Sequence, residues 1–539
     1  MPQHIAESLT APAFASEPTP LPTPAPAARR GRSIARLAGT TALAVALLAA
    51  CGGGGGGGDT PELPSALSLA QQCSPNNPFR GDAEAATTVA DLATEKRWVR
   101  SYMNEAYLWY REVPAVDASL PAYSDEADVY GSLDRYFEAL KTTARTASGK
   151  RKDEFSFTFP TKQWNELSQS GAVVGYGIEW HIQSLQIDAQ NPTRGIRIAY
   201  VEPNSPAANA GLRRGDLLVT VDGVSADTTN PAEIPTLNAG VFPSAAGNHS
   251  FVFSRNGSNL PALTLAAGTV VKQPVLTTQV LDIGGQKVGY IVFNDHFGAA
   301  ETQLAAAIQT LKDAAVTDLV LDLRYNGGGF LYIASQLAYM IAGPARTAGK
   351  TFERLQYNDK RTADTNASAT PFIDRACVPD ANFDCTSNAA LPTLGLARLY
   401  VIAGGPTCSA SEAIVNGLRG VDVDVRLIGA TTCGKPYGFT AQDNCGISYF
   451  PIEFQGVNHK GFGDYADGFT PQCAAADDFS RELGDPAEGR LAAALYLRAN
   501  GTCPPAAARE SAQALRAAEG GFMRRGPARE NRIVRQVRW

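Results

Sequence analysis

Between Val288 and Gly429, short apolar runs alternate with amphipathic ones, and this alternation limits the possible folds more than any other stretch. Val288–Val292, Thr317–Arg324, Leu399–Ala403 and Val425–Gly429 read as buried strands. Helical spacing fills the gaps at Ala299–Ala314, 330–342 and 411–419. A strand, a helix and a second strand form a crossover unit, which requires parallel pairing because a short hairpin cannot return the chain in the same direction. An α/β layer with helices on its faces follows.

Two turns at strand ends carry the chemistry. In TDLVLDLRYNGGGF the strand runs into Asn326-Gly327-Gly328-Gly329, where a helix follows and backbone N–H groups are bared. Such a turn suits an oxyanion or a phosphate, but neither G-x-x-x-x-G-K-[ST] nor G-x-G-x-x-G occurs there. The second turn sets Ser409 at a helix entrance, where unpaired N–H groups and the helix dipole favour developing negative charge. Lys435 lies on the loop after the next strand, and a desolvated lysine can act as a base because burial disfavours its ammonium. Read alone, the segment is equally an ordinary N-cap followed by a solvated loop.

D-L-R-x-N-G-G-G, then S-A-S-E, then G-K twenty-six residues past the serine, together resemble the carboxyl-terminal processing peptidases, or tail-specific proteases. The resemblance spans roughly Glu84 to Ala499. It implies an α/β multidomain chain: a crotonase-like serine-lysine protease domain, a β-rich PDZ domain before it and an N-terminal helical domain. It further implies Ser409 as nucleophile, Lys435 as general base, Thr432 as an orienting residue, and the N–H groups of Gly329 and Ala410 as the oxyanion hole. Many relatives carry glutamine four residues after the lysine, where this chain has Phe439; Gln442 stands nearby as a substitute. Related folds include non-catalytic binders, so a peptide- or hydrophobic-ligand-holding scaffold is the alternative reading. Asp295 and His296 suggest a histidine triad, but no G-x-S-x-G elbow accompanies them.

Upstream, Leu92, Val99, Met103 and Ala106 repeat at helical spacing until Pro114, and Val129, Leu133, Tyr136, Phe137 and Leu140 form a second set. These mark a helical domain over 84–168. Residues 169–272 resemble a PDZ domain, in which Gly175, Tyr176, Gly177 and Ile178 would hold a peptide's terminal carboxylate while the peptide adds a strand. The protease domain is expected over 273–503, with Thr351–Pro392 as a polar, loop-like insertion.

Residues 1–51 carry Arg29, Arg30, Arg32 and Arg36 before an apolar run too short to span a bilayer, as in a signal peptide. Leu48-Ala49-Ala50-Cys51 resembles a bacterial lipobox, which implies lipidation of Cys51 and a periplasm-facing anchor; Gly52 after it favours the outer membrane by analogy. Gly52–Gly58 opens a flexible linker over 52–83. With Cys51 set aside, eight cysteines suggest disulfides in an oxidising compartment, with Cys377–Cys385 as the one assigned pair. Cys408 and Cys433 flank the serine and the lysine as a staple or as plain thiols. No C-x-x-C occurs and the histidines are scattered, so no metal or other cofactor is expected. The net charge of -6 argues against a nucleic-acid partner. Expected partners are flexible carboxyl-terminal protein segments, an adaptor protein and a membrane. Residues 504–539 hold eight arginines against three glutamates and read as a basic, disordered tail.

Overall fold

The computed structural model describes residues 63–188, 191–228, 230–377, 384–505 and 532–533. The signal segment, Cys51 and the glycine run lie outside the described residues, as does most of the basic tail.

Helix α1 (Leu92–Ala106) starts at Asp91, whose carboxylate accepts the Thr94 N–H at 2.7 Å. α2 (Val129–Ala139) starts at Asp128 in the same way. An N-cap acceptor of this kind satisfies a donor that the helix cannot. Both helices bury their apolar stripe, including Trp98, Met103, Leu133 and Phe137, in one cluster with the main sheet. The helical region is therefore not a separate body. Its strand β1 (Phe157–Pro160) pairs antiparallel with residues 447–450, nearly three hundred positions on.

Residues 63–83, expected as part of a flexible linker, are folded. Cys73 is bonded to Cys445, and the Gln71 side chain reaches Asp443 at 2.9 Å. The anchor is a cysteine pairing across 372 residues, which local composition cannot reveal.

The β-rich module contains β2 (Ala172–Gly175), β3 (Ile178–Asp188), β4 (Asn191–Val201), β5 (Leu217–Val221), helix α3 (Ile234–Val241), β6 (Gly247–Arg255) and β7 (Leu263–Val271). The sheet runs β2-β7-β6-β5-β4-β3, so β3 is an edge strand. Ile196, Ile198, Leu218, Phe251 and Phe253 fill its core.

The central sheet follows with β8 (Val275–Ile283), β9 (Gln286–Phe293), helix α4 (Ala300–Asp313) and β10 (Asp318–Asp322). Then come β11 (Gly329–Phe330), α5 (Leu331–Ala342), β12 (Thr351–Tyr357), β13 (Arg398–Ala403), α6 (Ala410–Gly420) and β14 (Asp424–Gly429). Strands β15 (Tyr437–Gly438), β16 (Gln442–Asn444), β17 (Ile447–Phe450), β18 (Phe454–Val457) and β19 (Cys473–Ala474) precede α7 (Gly489–Asn500). β20 (Arg532–Ile533) is the last strand. The sheet order is β8-β9-β10-β13-β14-β19, parallel except for the β8/β9 pair.

Side chains alternate across this sheet with period two. Val288, Tyr290 and Val292 of β9 pack with Leu491, Ala494 and Leu497 of α7, whereas Ile291 and Phe293 face the layer holding α4, α5 and α6. Both faces are covered, which is why the strands read as continuous apolar runs.

The Thr351–Pro392 stretch is not a loop throughout. β12 within it pairs antiparallel with β18, and Cys377 is bonded to Cys385. β12 escapes a pattern reading because Glu353, Arg354 and Gln356 mimic a polar linker, while its partner strand lies a hundred residues downstream.

Candidate active site

The two turns singled out in the sequence meet at the carboxyl ends of β10 and β13. The Asn326 carbonyl accepts from Cys408 N at 3.1 Å and from Ser411 Oγ at 3.2 Å, and Thr407 Oγ1 donates to the Leu323 carbonyl at 2.8 Å. The Asn326 side chain organises its own turn: its amide donates to Phe293 O at 2.9 Å and its carbonyl accepts Gly328 N at 2.9 Å. Gly329 sits at φ +137°, and a Cβ there would lie 2.8 Å from His296 Cβ and O, so this position needs glycine.

Ser409 is fully buried, and among the described residues its Oγ has no hydrogen-bond partner. Its backbone lies at φ 59°, ψ -114°, a region that costs a non-glycine residue roughly 1–3 kcal/mol. The bend turns β13 into α6 and leaves Ala410 as the first helical residue, where N–H groups lack an intrahelical acceptor.

Glu412 ties this turn to the lysine loop. Its Oε2 accepts the Ser409 N–H at 3.0 Å and the Lys435 N–H at 2.8 Å. Its Oε1 accepts Thr432 Oγ1 at 2.5 Å and Gly434 N at 2.9 Å. Burial pushes the carboxyl's pKa up, and hydrogen bonds from Thr432, Lys435, Gly434 and Ser409 pull against that. Four converging donors fit an ionised acceptor. A disulfide between Cys408 and Cys433 doubles the strap, so the plain-thiol reading of these two cysteines does not hold.

Lys435 is fully buried, with Nζ 4.5 Å from the Phe439 ring centroid and 5.0 Å from that of Phe155. The Thr432 hydroxyl donates to Glu412 and accepts Phe469 N at 2.7 Å, so it holds the loop. Gln442 is exposed on β16 and its amide donates to Asp443 O at 3.2 Å. The structure gathers Ser409, Glu412, Thr432 and Lys435 and leaves Gln442 out. Phe439, the departure already visible in the sequence, provides a ring against the lysine.

His296 gives no triad. Its Nδ1 is 3.0 Å from Asn326 Oδ1, and burial pulls its pKa down to about 3. Asp295 pairs instead with Lys272.

Behind the glycine turn lies a buried ionic cluster. Arg324 contacts Asp322 at 2.8 Å, Glu488 at 2.8 Å and Asp477 at 2.6 Å. Arg214, from the β-rich module, reaches Asp477 at 2.6 Å and donates to Tyr325 Oη at 2.6 Å. Burial opposes charge on Asp477, but Arg324 and then Arg214 hold its pKa well below the ordinary range. The module is thus wired to the residue that precedes Asn326.

In the β-rich module, the Gly175–Ile178 loop lies at the start of β3. The Tyr176 hydroxyl donates to Gly240 O at 2.9 Å and Trp180 Nε1 to Val241 O at 3.1 Å, so α3 is tied to the edge strand. Gly177 takes φ +79°, and a Cβ there would lie 2.2 Å from Ser205 Cβ.

The site is thus built from two strand-end turns on a parallel sheet, with a β-rich module joined to it. Residues 287–443 match peptidase family S41, residues 94–157 the peptidase S41 N-terminal domain and residues 197–234 a PDZ domain. These three stretches are what the chain shares with peptidase family S41. It is 25% identical over 309 residues to the carboxyl-terminal-processing protease of Synechocystis sp., covering 54% of this chain and 61% of that one. The corresponding protease of Picosynechococcus sp. is 27% identical over 277 residues, covering 50% and 56%. The chain therefore spans somewhat over half the length of these relatives. A putative S41 protease from Bacteroides fragilis shares the fold, with a TM-score of 0.56 at 23% identity, over 75% of this chain and 97% of that one.

Proposed function

We propose that this chain is a serine endopeptidase of the cell envelope that captures flexible carboxyl-terminal segments and cleaves them with a Ser409–Lys435 dyad. The observation that carries this reading is a buried, unpartnered serine hydroxyl on a strained turn, held in register with a buried lysine by one carboxylate. In a dry pocket the lysine amine is favoured over its ammonium and takes the Ser409 proton as Oγ attacks the scissile carbonyl. The oxyanion is received by the N–H groups of Gly329 and Ala410. The lysine returns the proton to the leaving amine, and a water activated by the same amine hydrolyses the acyl-enzyme. Gly175–Ile178 takes the substrate's terminal carboxylate while its backbone adds to β3. Cys51, if cleaved and lipidated, anchors the chain at the periplasmic side of the outer membrane.

The test is degradation of an unstructured reporter protein with an apolar carboxyl terminus. Wild type should degrade it, while Ser409→Ala and Lys435→Ala should both lose the activity to a similar extent, because members of one catalytic unit are not additive. Equal survival of the reporter with wild type and Ser409→Ala would favour the non-catalytic scaffold.

A further inference from the structure

We propose that the chain's own Arg532–Ile533 segment is an intramolecular occupant of the substrate cleft, a pseudosubstrate strand that competes with incoming polypeptide. This deepens the peptidase reading above and rests on it. β20 pairs in parallel with β11, Gly329 opposite Arg532 and Phe330 opposite Ile533. Gly329 is the glycine of the strand-end turn, so the added strand runs along the face where a carbonyl would be polarised. β20 also comes within 8 Å of β15 by Cα position, and β15 begins two residues after Lys435. One short segment therefore lies against both halves of the machinery, where a substrate main chain would lie by strand addition.

The tail's sequence suits that place. RIVRQVRW intersperses β-branched Ile533, Val534 and Val537 with arginines, a composition that favours an edge-paired strand over a helix. Near β15 stand Asp464, exposed, and Asp467, half-buried and in the field of Lys150. Both act on Tyr437 of β15, whose pKa is pushed up to about 12 by burial first and then by the charges of Asp464, Asp153, Asp467 and Glu112.

The experiment compares full-length protein, a truncation after Pro505, and full-length Ile533→Pro, since proline removes a backbone donor and opposes strand pairing. A tethered segment acts at roughly millimolar effective concentration, so a segment with ~0.1 mM intrinsic affinity would mask the site about tenfold. Truncation and Ile533→Pro should each raise kcat/KM on the unstructured reporter by about tenfold. A fluorescent, carboxyl-amidated peptide of residues 526–539 should inhibit the truncated enzyme competitively and bind the truncated Ser409→Ala protein, whereas a scrambled peptide should do neither. The amide prevents capture by the PDZ carboxylate loop. Unchanged rates with no peptide binding would overturn the proposal, as would binding seen only for a peptide with a free carboxylate. If no form cleaves the reporter, the peptidase reading fails, and peptide binding to truncated Ser409→Ala still decides whether the tail docks in the cleft.

Discussion

Ser409 and Lys435 donate their backbone N–H groups to the same atom, Oε2 of Glu412, at 3.0 and 2.8 Å. A third residue on α6 thereby fixes the separation of two segments that chain connectivity leaves twenty-six residues apart. Losing it strands three backbone donors and a hydroxyl in a buried site. Glu412→Ala should lower stability by about 3 kcal/mol and reduce peptidase activity by on the order of a hundredfold. Glu412→Gln, which keeps one good acceptor, should fall between. Chemical denaturation and single-turnover acylation separate the two effects; Glu412→Ala with wild-type acylation would refute the positioning role.

The Cys408–Cys433 disulfide holds the same loop by a second route, closing 25 residues, a length for which chain entropy gives about 3 kcal/mol. Because Glu412 remains, Cys408→Ala/Cys433→Ala should lower Tm by several degrees yet cost less than tenfold in kcat. Thermal melts beside initial rates check this, and a complete loss of activity in a folded double variant would show the disulfide, not the carboxylate, to be the essential strap.

Arg214 crosses between the PDZ module and the central sheet with its side chain buried. Arg214→Ala withdraws one of the cations facing Asp477, and breaking a buried pair in this way costs about 3–5 kcal/mol. Arg214→Lys should rescue poorly, since one ammonium cannot serve Asp477, Tyr325 and the Ala199 carbonyl from the guanidinium's fixed fork. Urea titrations of the three proteins provide the comparison.

Glu95 is buried in the helical region, accepting Ser74 N at 2.7 Å and Asn77 Nδ2 at 3.0 Å. Burial raises its pKa from 4.5 to about 7 against those hydrogen bonds. The folded state therefore holds a proton that the unfolded state has released between these values. Its contribution to stability is complete below pH 4.5 and is lost as pH rises to about 7. Glu95→Gln should flatten the pH dependence of unfolding in that window; an unaltered slope would show that Glu95 does not titrate there.

The strands at β9, β10, β13 and β14 were legible because a double-covered parallel strand is apolar along its length, a property of adjacent residues. The glycine turn was legible as an N–H-baring turn because a strand-end turn before a helix exposes N–H groups wherever it occurs, whereas Ser409 and Lys435 were singled out as nucleophile and base by the resemblance of their motifs and not by turn chemistry. Glu412 was in view in S-A-S-E, but its tie to the lysine loop is made through the Gly434 and Lys435 N–H groups and the Thr432 hydroxyl, some twenty residues away, a pairing that leaves no trace in the sequence. The same holds for Arg324, whose motif was visible while Asp477 and Glu488 were not. Residues 63–83 looked like linker because their hold, the Cys73–Cys445 disulfide and hydrogen bonds from Gln71, Ser74 and Asn77, is made to partners distant in sequence.

Apolar period and turn chemistry act over three or four neighbouring residues, and they were enough to specify the parallel layer, its crossover helices and a helix entrance at Ser409. The ion cluster between modules, the carboxylate joining Ser409 to Lys435, and the strand laid along Gly329 depend on groups brought together across tens to hundreds of residues. Only the folded chain sets those distances, because a hydrogen bond or ion pair is decided by separation in space and carries no periodic signal along the sequence.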